Sequence, residues 1–329
     1  MTAVAFFNNK GGVGKTSLVY HLAWMFSDLG LTTVVADLDP QSNLTAAFLS
    51  EERQAEIWEG GMTVYSAVRP LLEERIGDVQ CPHLEAASDN LYLIPGDLAL
   101  SQVEDELSEQ WPKCLEGKNL GPFRVITAFW RVVEMACEAV GAPLALIDVG
   151  PNLGAINRSA LIASDHVVVP LAPDLYSLQG LRNLGPTLAD WRKGWKKRMD
   201  ENPDPSFALP QGNMEPVGYT VTQHSVRLDR PTKSYDLWIS RIPAEYRRSL
   251  LGESGENAPG VTTDVHCLAL LKHYRGLMAL AQEAGKPIFH LRSADGAIGS
   301  HAQAALDARG HFEALARRIA REIGLDFLL

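Results

Sequence analysis

Residues 8–17 read NNKGGVGKTS and concentrate the residue types that handle phosphate. Gly11, Gly12 and Gly14 admit backbone conformations closed to other residues, so successive N–H groups can converge on phosphate oxygens. Lys15 brings a cation to β- and γ-phosphates, and the Thr16 hydroxyl is a Mg²⁺ ligand by type. Asn9, Val13 and Ser17 complete the candidate nucleotide-binding loop. The spacing follows GxxxxGK[ST], except that Asn9 stands where the first glycine belongs. Three carboxylates have the right places to serve such a loop. Asp37 and Asp39, in DLDPQSN (37–43), lie two apart at a strand end and so share a face. Asp148 follows the apolar run LALI. A carboxylate there is costly without a cation or donor, which suits a group that holds Mg²⁺ through a water. Taken alone, DLDP is also good turn chemistry.

The elements around these residues position them. Residues 3–7 (AVAFF) form a buried strand, 15–29 (KTSLVYHLAWMFSDL) carry apolar residues at helical spacing, Gly30 is a C-cap signal, and 31–36 (LTTVVA) form a second strand. Strand, glycine-rich turn, helix and strand make a βαβ unit. LYLIP (91–95), LALIDV (144–149), HVVVP (166–170) and PVGYTV (216–221) are further strands. Helices are expected near 124–140, 155–163, 175–194, 234–250 and 299–322. The predicted fold class is therefore α/β, a doubly wound, mostly parallel sheet that binds ligand at the strands' carboxyl ends. One domain over 1–329 is expected, with surface insertions near 51–90, 104–122, 200–215 and 252–262.

Composition narrows the function classes. The 329 residues are 46% hydrophobic and 21% charged, with 27 glycines and 19 prolines, as in ordinary globular chains. No apolar run is long enough to span a membrane, and MTAVAFFNNK lacks the features of a secretory signal. A net charge of −10 argues against a surface basic all over but leaves room for a local basic patch. Cys81, Cys114, Cys137 and Cys267 form no CxxC pair, so reduced buried thiols are expected. The nine histidines show no HExxH or paired metal spacing, and Ser159 and Ser225 lack a GxSxG context.

The loop KGGVGKT, with its extra lysine at Lys10, resembles the deviant Walker A motif of the ParA/MinD family of ATPases, which also includes the nitrogenase iron protein. DLDPQSN resembles that family's second phosphate-side motif. LALIDVGPNLGAINRSAL (144–161) resembles its Walker B region, with Val149, Gly150 and Asn152 in place of Thr, Pro and Ser. VVVPLAPDLYSLQGLRNL (167–184) and AGKPIFHLRSADGAIGSHAQA (284–304) resemble ParA-type segments. The likeness is spread over 1–50, 91–100, 144–190 and 216–325, and is weak in the insertions. The pattern is most similar to ParA-type partition ATPases; with its first strand at residue 3, a chain without an N-terminal helix-turn-helix domain is expected.

That resemblance implies a P-loop NTPase that takes ATP and Mg²⁺ and hydrolyses ATP slowly. It implies a homodimer bridged by nucleotide, in which Lys10 reaches the partner subunit's phosphates as an arginine finger does. Asp39 would then orient the attacking water and Asp37 support the shell of the Mg²⁺ held by Thr16 and Asp148. By family position, Thr222, Lys286 and Pro287 would meet the adenine. An activating partner of the ParB kind, or another, and a cytoplasmic, nucleoid-associated location also follow from the resemblance.

Three outputs are open to such a switch. DNA partition or cargo positioning would use basic residues: Arg192, Lys193, Lys196, Lys197 and Arg198 in WRKGWKKRMD, and Arg317, Arg318 and Arg321 in LARRIAREIG. The same residues read equally as a solvated helix face with Trp191 and Trp195 in the core, and the arginines of the family are only partly matched, by Arg275. A MinD-like membrane output would use the tail's Leu315, Ile319, Ile323 and final FLL, which a core-packing helix explains as well. An iron-protein-like electron-transfer role would need interfacial cysteines, and neither Cys114 nor Cys137 is placed at a strand's carboxyl end.

Overall fold

The computed structural model describes residues 1–73, 77–223, 233–272 and 274–325. His224, Ser225, His273 and the terminal Phe327, Leu328 and Leu329 lie outside the described residues, as does the side chain of Arg275. The strands are β1 (Thr2–Phe6), β2 (Thr33–Asp37), β3 (Glu85–Ser88), β4 (Leu91–Ile94), β5 (Leu144–Asp148), β6 (His166–Leu171), β7 (Glu215–Gln223) and β8 (Cys267–Lys272). They lie side by side in the order β3-β4-β2-β5-β1-β6-β7-β8. Every pairing is parallel except β3 on β4.

The helices are α1 (Lys15–Asp28), α2 (Asn43–Phe48), α3 (Glu51–Glu59), α4 (Val64–Leu72), α5 (Glu104–Lys113), α6 (Gly121–Ile126), α7 (Ala128–Val140), α8 (Ala155–Ile162), α9 (Leu175–Met199), α10 (Lys233–Ile239), α11 (Ile242–Tyr246), α12 (Arg275–Ala284) and α13 (Ser300–Glu322). Two cores result, one on each sheet face. Ala3 and Ala5 of β1 point into the core formed with α4, α5, α7, α8 and α9. Val4 and Phe6 point into the opposite core, with α1, α12 and α13. Covering on both faces is why these strands read as continuous apolar runs. The doubly wound P-loop arrangement expected from the sequence is the fold observed.

Two of the expected insertions are otherwise than anticipated. Residues 51–90 hold α3, α4 and the edge strand β3, with Val64, Val68, Leu71 and Leu72 of α4 buried. Residues 104–122 begin with α5, whose Leu107 is buried in the first core, and Cys114 follows it there. Their charged exposed faces hid the apolar stripes that pack them. Residues 200–214 and 252–262 carry no regular element, whereas Glu215, placed in the expected insertion 200–215, opens β7.

Candidate functional site

The loop between β1 and α1 turns through two left-handed residues, Gly12 (φ 73°) and Gly14 (φ 82°), a region that side-chain-bearing residues avoid. Gly14 is also the N-cap of α1, so the first turn's free N–H groups and the positive dipole end open at the loop. Asn8 braces the loop's base. Its Nδ2 donates to the Pro170 carbonyl at 2.7 Å, and its Oδ1 accepts from the Lys10 N–H at 3.0 Å. Asn9 keeps a buried side-chain oxygen without a partner.

Lys15 is buried, with Nζ 3.5 Å from the Lys10 carbonyl. Burial lowers its pKa, against the pull of Asp148 and Asp39. A desolvated ammonium of this kind gains from meeting a phosphate. Asp148, at the end of β5, is fully buried. Both of its oxygens lack a hydrogen-bond partner, although the Thr16 side chain lies near enough to favour the charged form. Burial, then the neighbouring charge of Asp37, pushes the Asp148 carboxyl up to about 8. An orphaned buried carboxylate beside a hydroxyl and a lysine fits a divalent cation carried in with nucleotide phosphates. Among the described residues no three His, Cys, Asp or Glu side chains converge into a metal site.

Asp37 stands opposite Asp148 in the β2–β5 register. Its Oδ2 accepts from the Thr45 N–H at 2.8 Å and from the Thr45 hydroxyl at 2.7 Å. Its Oδ1 accepts from the Asp39 N–H at 3.3 Å. Burial raises its pKa to about 6, with the Thr45 bonds opposing. Asp37 thus anchors α2 and the loop that carries Asp39. Asp39 Oδ1 accepts from the Gln41 N–H at 3.0 Å, and a Cβ on Gly150 would come within 3.1 Å of that same oxygen. The loop after β5 therefore lies close against the loop after β2, and a side chain at residue 150 would press on the Asp39 carboxylate.

Lys10 Nζ is ion-paired to Asp174 Oδ2, with the lysine 26% and the aspartate 35% exposed. Asp174 is also the N-cap of α9, its Oδ1 accepting from the Ser177 N–H at 2.8 Å. Burial would raise its pKa, but Lys10 and that N–H hold it below the usual value. Leu153 (38% exposed), Leu175 (50%) and Tyr176 (72%) bring apolar surface to the loops at this end of the sheet.

Thr222 is brought to the loop, its hydroxyl donating to the Val13 carbonyl at 3.4 Å. It lines a cavity of about 200 Å³ together with Gly12, Leu271, Met278 and Ile288. A flat apolar base suits this lining. Lys286 does not reach that cavity. Its Nζ pairs with Asp295 at 2.7 Å, and it lines a larger neighbouring cleft of about 840 Å³. Pro287 is buried and only precedes Ile288. His21, which the sequence offered only as one of nine scattered histidines, borders both spaces. Its ring bonds the Ser17 carbonyl through Nδ1 at 2.7 Å and accepts from the Ile288 N–H at Nε2, 3.2 Å away.

A family model described as an AAA domain, AAA_31, matches residues 1–200. The chain belongs to the AAA_31 family. The chromosome-partitioning ATPase Soj of Thermus thermophilus is 29% identical over 199 residues, 60% of this chain and 65% of Soj. The chain spans between 45% and 65% of the curated relatives it matches most strongly. Protein DIP2308 of Corynebacterium diphtheriae shares the fold at TM-score 0.70 and 23% identity, over 98% of this chain and 99% of that one. A plasmid partition protein of Borrelia burgdorferi bound to AMPPNP does so at TM-score 0.57 and 15% identity, over 98% of each.

Among the described residues of this AAA_31 chain, the basic residues singled out in the sequence do not share one surface. Arg192 spends its guanidinium on the Asn213 and Met214 carbonyls at 2.6 and 2.9 Å. Arg198 is 6% exposed; it donates to the Trp111 carbonyl at 2.7 Å and lies 3.7 Å from the Trp111 ring centre. Lys193, Lys196 and Lys197 remain exposed on α9. Arg317 pairs with Glu313 at 3.1 Å and Arg318 with Glu322 at 2.9 Å, while Arg321 is exposed. These three lie on α13, which packs on the other sheet face from α9.

The other two outputs lose their footing among the described residues. Leu315, Ile319 and Ile323 of the final helix are buried in the second core, not free for a membrane. No described helix is long and apolar enough to cross one. Cys114 and Cys137 are buried in the first core, and burial pushes both thiols up to about 12.

Proposed function

We propose that this chain is an ATP hydrolase of the ParA type, a nucleotide switch for partitioning DNA or positioning another large cargo. The observation that carries the reading is the buried, unpartnered Asp148 carboxylate beside Lys15 and Thr16 at the mouth of a glycine-turned loop. The partition relatives support it. In this reading the loop amides and Lys15 bind the triphosphate, and Thr16 and Asp148 hold Mg²⁺. Bound Mg²⁺ supplies neutralisation of phosphate charge. Asp39, held by the Gln41 N–H, orients the attacking water, and Asp37 fixes the strand end on which Asp39 rides. Two protomers clasp nucleotide between them, and Lys10 leaves Asp174 for the partner's phosphates. The exposed Leu153, Leu175 and Tyr176 supply apolar surface for that face.

The output surface in this reading is Lys193, Lys196 and Lys197, three cations on adjacent turns of α9 that engage nucleic-acid backbone without sequence preference. An activating protein of the ParB kind completes the cycle. The test is Mg²⁺-dependent ATP hydrolysis in the native chain and in Lys15→Ala and Lys10→Ala. Lys15→Ala is expected to lose nucleotide binding. Lys10→Ala is expected to keep binding and lose hydrolysis. Equal hydrolysis by all three overturns the reading.

A further inference from the structure

Helix α5 touches the nucleotide end of the molecule with its first residue and the lysine-bearing end of α9 with its last turns. At the first joint, Glu104 Oε1 accepts from the Ala155 N–H at 2.5 Å, and Oε2 accepts from the Ile156 N–H at 2.9 Å. These are the opening amides of α8, whose N-cap, Gly154, supplies no side-chain oxygen. A Cβ on Gly154 would lie 2.6 Å from Glu104 Oε1, so glycine makes room for the carboxylate. Between Asp148 and α8 runs the loop 149–154. Asn157 Nδ2 pins it by donating to the Gly150 and Asn152 carbonyls at 2.8 and 2.7 Å. At the second joint, Trp111 stacks on Trp195 at 6.2 Å and 17°. Arg198 and Arg158 lie over its ring at 3.7 and 4.5 Å.

We infer that Glu104 is a positioning residue for the nucleotide site, and that α5 is the strut that ties this loop to the far end of α9. Charge-assisted bonds to N–H groups at a helix N-terminus are about twice as strong as neutral ones. Movement of the loop after β5 therefore carries α5 with it more readily than it breaks the joint. α5 spans about 15 Å as a helix, and its buried Leu107 keeps it seated. Displacement at Glu104 arrives at Trp111, and through the aromatic and guanidinium stack at Lys193, Lys196 and Lys197. The inference rests on the ATPase reading above and adds a route by which nucleotide changes the output surface.

Hydrogen exchange read by mass spectrometry, with and without Mg²⁺ and a non-hydrolysable ATP analogue, tests it. In the native chain the analogue is expected to protect 8–17 and to alter exchange at 150–158 and 191–199. Glu104→Ala is expected to keep the protection at 8–17 and lose the change at 191–199. Its kcat is expected to fall about 10-fold, with a smaller change in KM, because the loop borders Asp39 rather than the base cavity. Glu104→Gln retains one acceptor and is expected to recover part of both. Trp111→Leu removes the ring contacts of the far joint and leaves the Arg198 bond to the backbone carbonyl there; it is expected to keep near-native hydrolysis and to weaken only the change at 191–199. If the native chain is protected at 8–17 but unchanged at 191–199, or if Glu104→Ala and Trp111→Leu both retain that change, the strut is wrong. Absence of protection at 8–17 overturns the nucleotide reading itself, and the strut with it. Should Glu104→Ala not fold, Glu104→Gln and Trp111→Leu give the same readouts.

Discussion

His21 is expected to make the protein's stability acid-sensitive at its nucleotide end. The ring is buried beneath the phosphate loop, stacked 5.0 Å from Phe312, with Nδ1–H donating to the Ser17 carbonyl and Nε2 accepting from the Ile288 N–H. That pattern needs the neutral ring, and burial is the main reason its pKa drops from 6.5 to about 4. The unfolded chain takes up a proton below about 6.5 while the folded chain refuses it until about 4. Stability from this group is therefore present above the unfolded value and lost as pH falls through the window to the folded value. At about 1.4 kcal/mol per unit, the shift is worth at most about 3 kcal/mol. His21→Gln loses packing at every pH but has no proton to gain. The assay is thermal or urea unfolding of both proteins, without nucleotide, from pH 7.5 to 4. The native chain's advantage over His21→Gln is expected to shrink by about 2–3 kcal/mol over that range, a relative Tm loss of several degrees. An advantage that is flat with pH, or that grows on acidification, refutes the argument.

Asp148→Asn replaces a buried carboxyl that burial already holds mostly neutral at pH 7 without nucleotide, so the nucleotide-free protein is expected to melt close to the native chain while hydrolysis is lost; a large fall in Tm at neutral pH contradicts this. Thr45→Val deletes a hydroxyl that donates to Asp37 and accepts from the Gly96 N–H at 2.7 Å. Unfolding in urea is expected to show a loss of about 2–3 kcal/mol, the cost of stranding buried polar groups. Arg198→Ala is expected to lower Tm and leave DNA binding per folded molecule intact. Replacing Lys193, Lys196 and Lys197 together by Glu is expected to abolish binding to random duplex DNA with little change in Tm. In the native chain, three phosphate contacts per protomer, six in the nucleotide-joined dimer, give a log–log salt slope of about −5; salt-independent binding sinks the lysine surface.

The phosphate loop, α1 and β1, β2, β5 and β6 were legible because their signals are local: apolar runs, glycines at fixed offsets, a lysine and threonine opening a helix. Edge elements were not. β3 is four residues of EAAS, and β8 reads as a short apolar run without flanking turn signals. The partners of site residues were harder still, since Asp174 meets Lys10 across 164 positions. A hint was present in Asp174 standing three residues before Ser177 at a helix start, an N-cap pattern. Glu104 lay in a stretch too acidic to suggest a role at the loop after β5. The basic run at 191–200 was open to both readings, a nucleic-acid surface and a solvated helix face, on its spacing alone. Helical periodicity shows which residues share a face, but not that Arg192 and Arg198 turn inward to carbonyls while three lysines stay out.

The central claim is that nucleotide joins two copies of this chain through Lys10. Light scattering on size-exclusion chromatography of Asp39→Ala, which is expected to bind ATP without hydrolysing it, tests this most directly. With Mg²⁺ and ATP the mass is expected to be that of two 36.0 kDa chains, and with ADP that of one. Adding Lys10→Ala is expected to return the ATP form to one chain. A single-chain mass under every condition, or a dimer indifferent to both nucleotide and Lys10, contradicts the account.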